Sequence, residues 1–500
     1  MLEKVKNQIT NNTETISQDG EALPEIQEQI VSILLPPEEL FAKSSEFDLN
    51  PHVDLPKSKI RTWHQTSATG FEILSELYSK EYINDSLHLQ LADSPDLLTT
   101  TFAYSSLSDP WTSPSTFKLS QDLLQQIKSA LLPGPSGPEK YSHLLTSILK
   151  DAIKPLFSKS KPQTITEAGR KSAFPEAKLP PSFSEESSAK PWKYAKRYIV
   201  SVYGGVLSEL SRPEDIESNW PLLIPPLLTL LDDSSTALKV RGCEFLRMFL
   251  GKVQPELLQR TGLGDVFWET LMPCLSYLPT LTPEDESLEL LGAVYPTLLE
   301  LVRVRFAHSS GIGNGNGNGK GPETEGEKRE EKVKKAKLKA LDEVLRKGVL
   351  HGYAHVGTDH VKIGNFLVER MGEIVYAMGI QAVRHLKDII PLLTSILASP
   401  FSTAYPPLLL TALSAFSTVI LNCWPRIPFY RGEILKGTCV PWLRAQEDES
   451  SRERLSPVED EIKEVLSLLR ATVENVAIDW VEEISMLIAA KPELKELFET

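Results

Sequence analysis

The chain has 500 residues, a length that calls for two or three domains or one extended array rather than a single core. Hydrophobic residues make up 41% and charged residues 24%, the balance of an ordinary folded soluble protein. The net charge of −14 argues against a nucleic-acid binder, because holding phosphates needs a basic face.

No run of about 18 apolar residues is visible, so no membrane-spanning helix is expected. The opening MLEKVKNQITNNTET lacks the apolar core of a signal peptide. Four cysteines, Cys243, Cys274, Cys423 and Cys439, sit in apolar contexts with no CxxC pair. They read as buried thiols in a reducing compartment rather than disulfides or zinc ligands. The expected location is the cytoplasm, with the nucleus as an alternative.

Residues 1–20 are polar and read as frayed. A short helix is expected from Leu23 to Leu40, stopped near Pro36 and Pro37. A second runs from Ile60 to Tyr82 on Trp63, Phe71, Leu74, Leu77 and Tyr78. Residues 83–118 are mixed, rich in Ser, Thr, Asp and Pro, and suggest no element. Leu119 to Leu132 is amphipathic, with Leu123, Leu124, Ile127 and Leu131 on one side, and stops at the breaker cluster PGPSGP. Tyr141 to Phe157 makes the second half of a helical pair. Residues 158–190 lack periodicity and are rich in Ser, Lys and Pro, so an extended or disordered linker is expected. Trp192 to Leu210 then leads through SRPEDIES into the central stretch.

That stretch opens WPLLIPPLLTLLDDSSTALKVRGCEFLRMFL. Leu223, Leu227, Leu228 and Leu231 form one helical stripe, and Asp232 and Asp233 break it. Ser234 or Ser235 can cap a second helix carrying Val240, Cys243, Leu246, Phe249 and Leu250. Pro225 and Pro226 stand inside the first helix, where each removes a backbone donor. The pattern returns from Asp265, with Pro273 inside one helix and Pro296 inside the next, about Leu288 to Phe306.

Residues 308–331 alternate Gly and Asn and read as a disordered loop, too entropically costly to order alone. A charged helix is expected from Glu331 to Leu350, then helices near 361–378, 380–398 and 404–424. HLKDIIPLLTSILASP repeats the earlier grammar, with Pro391 in the place of Pro225. IPFYRGEILKGTCVPWLRAQ is one more helix and EDESSRERLSPVED a polar gap. Ile462 to Val476 and Trp480 to Phe498 close the chain. Recurring helix pairs with internal prolines, and no strand candidate, indicate an all-α, HEAT-like solenoid. The expected segments are an N-terminal helical region (1–157), a linker (158–190), central repeats (191–307), the Gly/Asn loop (308–331) and C-terminal repeats (332–500).

Candidate chemistry is thin. GNGNGNGKG with Lys320 resembles a phosphate loop, but Gly321 stands where Ser or Thr would hold magnesium and no strand precedes it. His351 and His355 are four apart, with Asp359 and His360 near, a spacing that suits metal ligands. The surrounding GYAHVGTDH reads as a turn between helices, which favours ordinary histidines. Lys332, Lys334, Lys335, Lys337 and Lys339 read as a solvated helix face interleaved with Glu, with nuclear targeting or an acidic partner as the alternative. No catalytic, cofactor or metal constellation stands out, so no enzyme and no cofactor are expected.

WPLLIPPLLTLLDD, KVRGCEFL, RTGLGDVF, LPTLTPEDES and AVYPTLLEL, in that order, resemble the central signature of the Tel-two-interacting protein two family, over roughly residues 190–445. The resemblance implies a non-enzymatic scaffold in a Triple-T-like co-chaperone complex. Its implied partners are Tel-two-interacting protein one and Tel-two homologues. Indirectly they include the ninety-kilodalton heat-shock chaperone, its adaptor complex and phosphatidylinositol-3-kinase-related kinases of growth and DNA-damage signalling, with no nucleic acid and no membrane.

The candidate partner-binding residues are Trp424, Arg426, Phe429, Tyr430, Arg431, Trp442 and Arg444, a composition enriched at binding hot spots. Their bland alternative is packing between repeats, with arginines facing solvent. The resemblance associates this half with docking onto Tel-two-interacting protein one. An importin-type transport adaptor is the rival binding protein, and would need regular repeats with an inner Trp/Asn ladder. An enzyme with a helical accessory domain is the rival from another class.

Overall fold

A computed structural model describes residues 23–40, 57–78, 85–160, 162–172, 188–307, 325–447, 452–474, 476 and 479–498. The polar N-terminus and residues 308–324 of the expected Gly/Asn loop lie outside the described residues, whereas 325–331, also expected to be disordered, are helical. Within them the chain is helical, with one isolated bridge, Ile165 to Lys171, and no strand. It divides into two compact units, Met1–Phe267 and Trp268–Thr500. That division follows neither of the expected linkers.

The first unit begins with α1 (Leu23–Leu34), α2 (Lys57–Leu77), α3 (Asp85–Ala92), α4 (Pro95–Ala103), α5 (Pro114–Leu131) and α6 (Gly137–Ser147), the last continued by helical turns to Phe157. α4 is buried almost throughout, although its sequence, PDLLTTTFA, suggested no element. Its threonines enter the core because the backbone satisfies their hydroxyls: Thr101 donates to the Leu97 carbonyl at 2.8 Å and Thr100 to that of Val31 at 3.4 Å. Ser113 and Thr116 cap α5 reciprocally.

The centre of this unit is α7 (Ile199–Glu209), α8 (Pro213–Ser218), α9 (Trp220–Leu231), α10 (Thr236–Leu250) and α11 (Pro255–Thr261), followed by α12 (Leu263–Leu271), which crosses into the second unit. α9 and α10 form the expected antiparallel pair, and Leu223, Leu227, Leu246 and Phe249 are fully buried. Pro225 and Pro226 do not interrupt α9; the Thr229 hydroxyl instead donates to the Pro225 carbonyl at 2.7 Å. The cap of α10 differs from expectation. Ser235 stands at the N-cap without a side-chain bond, and the Asp233 carboxylate accepts the Ser235 N–H at 2.9 Å. The same buried carboxylate holds Lys190 at 3.0 Å and Lys193 at 2.8 Å. At other helix ends, Lys239 donates to the Leu231 carbonyl, and Lys252 to the carbonyls of Leu207, Ser208 and Leu210, each at 2.7–2.8 Å.

Of the expected extended or disordered linker at 158–190, residues 158–160, 162–172 and 188–190 are described. Residues 162–172 bury Ile165 and pass over α9, where the Trp220 indole donates to the Gly169 carbonyl at 2.8 Å. Trp192 stacks on Phe157 with ring centroids 4.9 Å apart and donates to Ser160. Tethering by these contacts orders a segment that has no periodicity of its own; residues 161 and 173–187 lie outside the described set.

A buried polar cluster fixes the turn after α4 to α7 and α10. Arg241 donates to Asp109 at 3.1 Å, Ser108 at 2.8 Å, Ser106 at 3.2 Å and Ser201 at 3.0 Å, and lies over the Phe245 ring. Ser201 completes it with a hydrogen bond to Asp109.

The second unit continues with α13 (Glu284–Arg305), α14 (Glu325–Glu343), α15 (His351–Val356), α16 (Val361–Met378), α17 (Leu386–Leu397), α18 (Pro406–Cys423), α19 (Arg431–Glu447), α20 (Arg452–Val473) and α21 (Trp480–Ala490). α18 packs against α16, α17 and α20. The polar gap expected after Gln446 is helical from Arg452, with Pro457 inside α20. One correction concerns apolar length. The stretch 406–446 contains a window apolar and long enough to cross a membrane, and half of that window is buried. Leu409, Leu413, Phe416 and Ile420 are among its buried residues.

Candidate interaction surface

α18 ends at Cys423, and the chain turns through a tight helical segment, Trp424–Tyr430, before α19. Pro425 and Pro428 fix this turn by removing backbone donors. Ile427 and Pro428 are buried, and Trp424, Arg426 and Phe429 on either side are exposed. Trp424 is 57% exposed, Phe429 81%, and Leu421 on the preceding turn 61%. Arg426 is exposed and Tyr430 half-buried, its ring edge-on to Phe429 with centroids 5.2 Å apart. The result is an exposed apolar and aromatic cluster beside Arg426, which has no ion-pair partner among the described residues, the kind of surface that marks association.

The other expected residues lie elsewhere. Trp442 is 1% exposed, under the Lys463 ammonium at 5.7 Å from its ring, and belongs to the core. Arg431 is paired with Glu483 at 2.9 Å and also donates to the Pro428 carbonyl. Arg444 donates to the Ser399 carbonyl and closes the loop after α17. Composition alone does not separate an aromatic on a turn, such as Trp424, from one on the inner face of a helix, such as Trp442. Leu421 was missed because it lies in the last turn of an apolar helix; at helical spacing it follows Ser414 and Thr418 on the outer face of α18.

The remaining candidates resolve into local contacts. His355 lies 2.9 Å from the Pro279 carbonyl and His360 3.5 Å from Glu284. Among the described residues no group of three metal-binding side chains occurs. Of the lysine run, Lys335 pairs with Glu331 at 2.7 Å, as expected of a solvated helix face. Burial pushes the Cys423 and Cys439 thiols up to about 11, which keeps them protonated and unreactive.

The model of the Tti2 family matches residues 97–404. A relative from Saccharomyces cerevisiae, TEL2-interacting protein 2, is 24% identical over 312 residues, 60% of this chain and 66% of that protein. The chain thus spans just under two thirds of the length of the relative it matches. The turn at 424–430 lies beyond the range matched by the family model.

Proposed function

This chain belongs to the Tti2 family, and on that premise we propose that it is a non-enzymatic adaptor subunit of a Tel2-containing co-chaperone complex. Family membership over more than half of the chain carries this reading. In it, the helix pairs stack in the HEAT manner and present extended faces to other proteins. Its direct partners are a Tel2 homologue and a Tel-two-interacting protein one homologue, in the cytoplasm and the nucleus. Through them it serves the ninety-kilodalton heat-shock chaperone in maturing phosphatidylinositol-3-kinase-related kinases. The name of the yeast relative, TEL2-interacting protein 2, supports the first partner.

Within this reading the turn at 424–430 is a docking surface. The test is co-purification of the tagged full-length chain from cells, with partners identified by mass spectrometry. Both homologues are expected as stoichiometric partners, and their absence would overturn the reading. Trp424→Ala with Arg426→Glu should then weaken capture by about tenfold or more, since one hot-spot truncation typically costs about 2 kcal/mol. Capture at the normal level by a folded variant would remove the turn from the interface.

A further inference from the structure

In the second unit α16, α18 and α20 lie side by side, and a groove of about 730 Å3 opens along the middle helix. Its floor is the outer face of α18, where Thr411, Ser414, Ala415 and Thr418 recur at three- and four-residue spacing. No charged residue occurs between Pro406 and Cys423, so this floor is neutral as well as low. Small side chains let a second backbone approach closely, and the stripe covers roughly 10 Å, two helical turns.

The walls have the opposite character. Glu369 and Glu373 line one side from α16, and Glu461 lines the other from α20. A single cation, Arg370, is already shared between Glu369 at 2.7 Å and Glu373 at 2.8 Å. Glu461 has no ion-pair partner among the described residues, and Glu464 and Asp460 crowd it with like charge. Burial holds the carboxyls of both Glu373 and Glu461 above the usual carboxylate range. Negative charge is thus in excess on both sides of a neutral channel, and Tyr376, 75% exposed, stands at its rim.

We propose that this groove docks an amphipathic helix of a partner protein whose lysine or arginine side chains reach Glu373 on one wall and Glu461 on the other. Charge complementarity selects the occupant: phosphates and acidic peptides are repelled, and a basic side chain supplies what Glu461 lacks. An apolar residue of the same helix covers the Tyr376 ring. This assignment stands independently of the family reading.

The experiment uses the full-length protein and a fluorescein-labelled synthetic helix with leucines on one face and lysines on the other. A counterpart with glutamate for lysine serves as the charge control. The lysine helix should bind and the glutamate helix should not. Glu373→Gln with Glu461→Gln, nearly isosteric changes at solvent-accessible carboxylates, should raise Kd about tenfold or more. Thr411→Arg, which puts a cation and bulk into the channel, should do the same. Asp359→Asn with Glu493→Gln removes two exposed charges elsewhere and should leave Kd unchanged. Equal weakening in this control, or unchanged binding in either groove variant, overturns the proposal. Displacement of the helix by equimolar spermine would also overturn it, by assigning the groove to small polycations.

Discussion

Replacing Arg241 by Met should expose how much the first unit depends on its buried ion pair. The side chains of Arg241 and Asp109 are only 15% and 11% exposed. Burial pushes the Asp109 carboxyl upward, and Arg241 is the leading influence pulling it down. Removing the guanidinium leaves that carboxylate with Ser201 and the more distant charge of Arg197. Breaking a buried pair from one side typically costs about 3–5 kcal/mol, a large fraction of a stability of about 5–15 kcal/mol. The cost comes from the orphaned charge, so Arg241→Met combined with Asp109→Asn should be more stable than Arg241→Met alone. The deficit of the single variant should also narrow as the pH falls and Asp109 takes up a proton. Urea unfolding followed by circular dichroism reads all three. A loss below about 1 kcal/mol for Arg241→Met, or a double variant less stable than the single, would refute the assignment of the cost to a stranded carboxylate.

Two further outcomes are open to direct measurement. Leu246→Asp places a charge where the side chain is 0% exposed; the burial cost of several kcal/mol should abolish soluble expression, and normal yield with unchanged circular dichroism would remove Leu246 from the core. His385 lies 2.8 Å from Asp342 and is 5% exposed; burial holds its pKa below the ordinary histidine value despite that carboxylate. Its stabilising contribution is therefore present above the unfolded pKa, about 6.5, and lost as the pH falls through the folded one. His385→Gln should flatten this part of the stability profile, and an unchanged slope would sink the assignment.

Helical periodicity made most of the elements legible, and the fully buried stripe of α9 and the expected range of α16 rest on it. α4 escaped because three consecutive threonines read as surface, whereas hydrogen bonds to Leu97 and Val31 let two of them enter the core. Residues 162–172 escaped because their order comes from Trp220 and Gly169 meeting across 51 positions, a pairing that no local pattern encodes. Exposure within the candidate set was only partly legible. Trp424 and Trp442 are alike in composition and neighbourhood, and the proline-fixed turn sends one outward while α19 turns the other inward. The groove along α18 was invisible for a related reason: neutrality in one helix and carboxylates in two others acquire meaning only once they are adjacent.

α9 is gripped at both ends by the chain that precedes it. Gly169 is held by Trp220 at its start, and Lys190 and Lys193 by Asp233 just past its finish. Two described segments, 162–172 and 188–193, are therefore fixed to the same helix independently, one at each end. The Trp220 grip is one neutral hydrogen bond and the Asp233 grip is two charge-assisted ones, so ionic strength acts on the second and leaves the first. A substitution that removes one grip therefore leaves the other end of α9 still tied to the chain that precedes it.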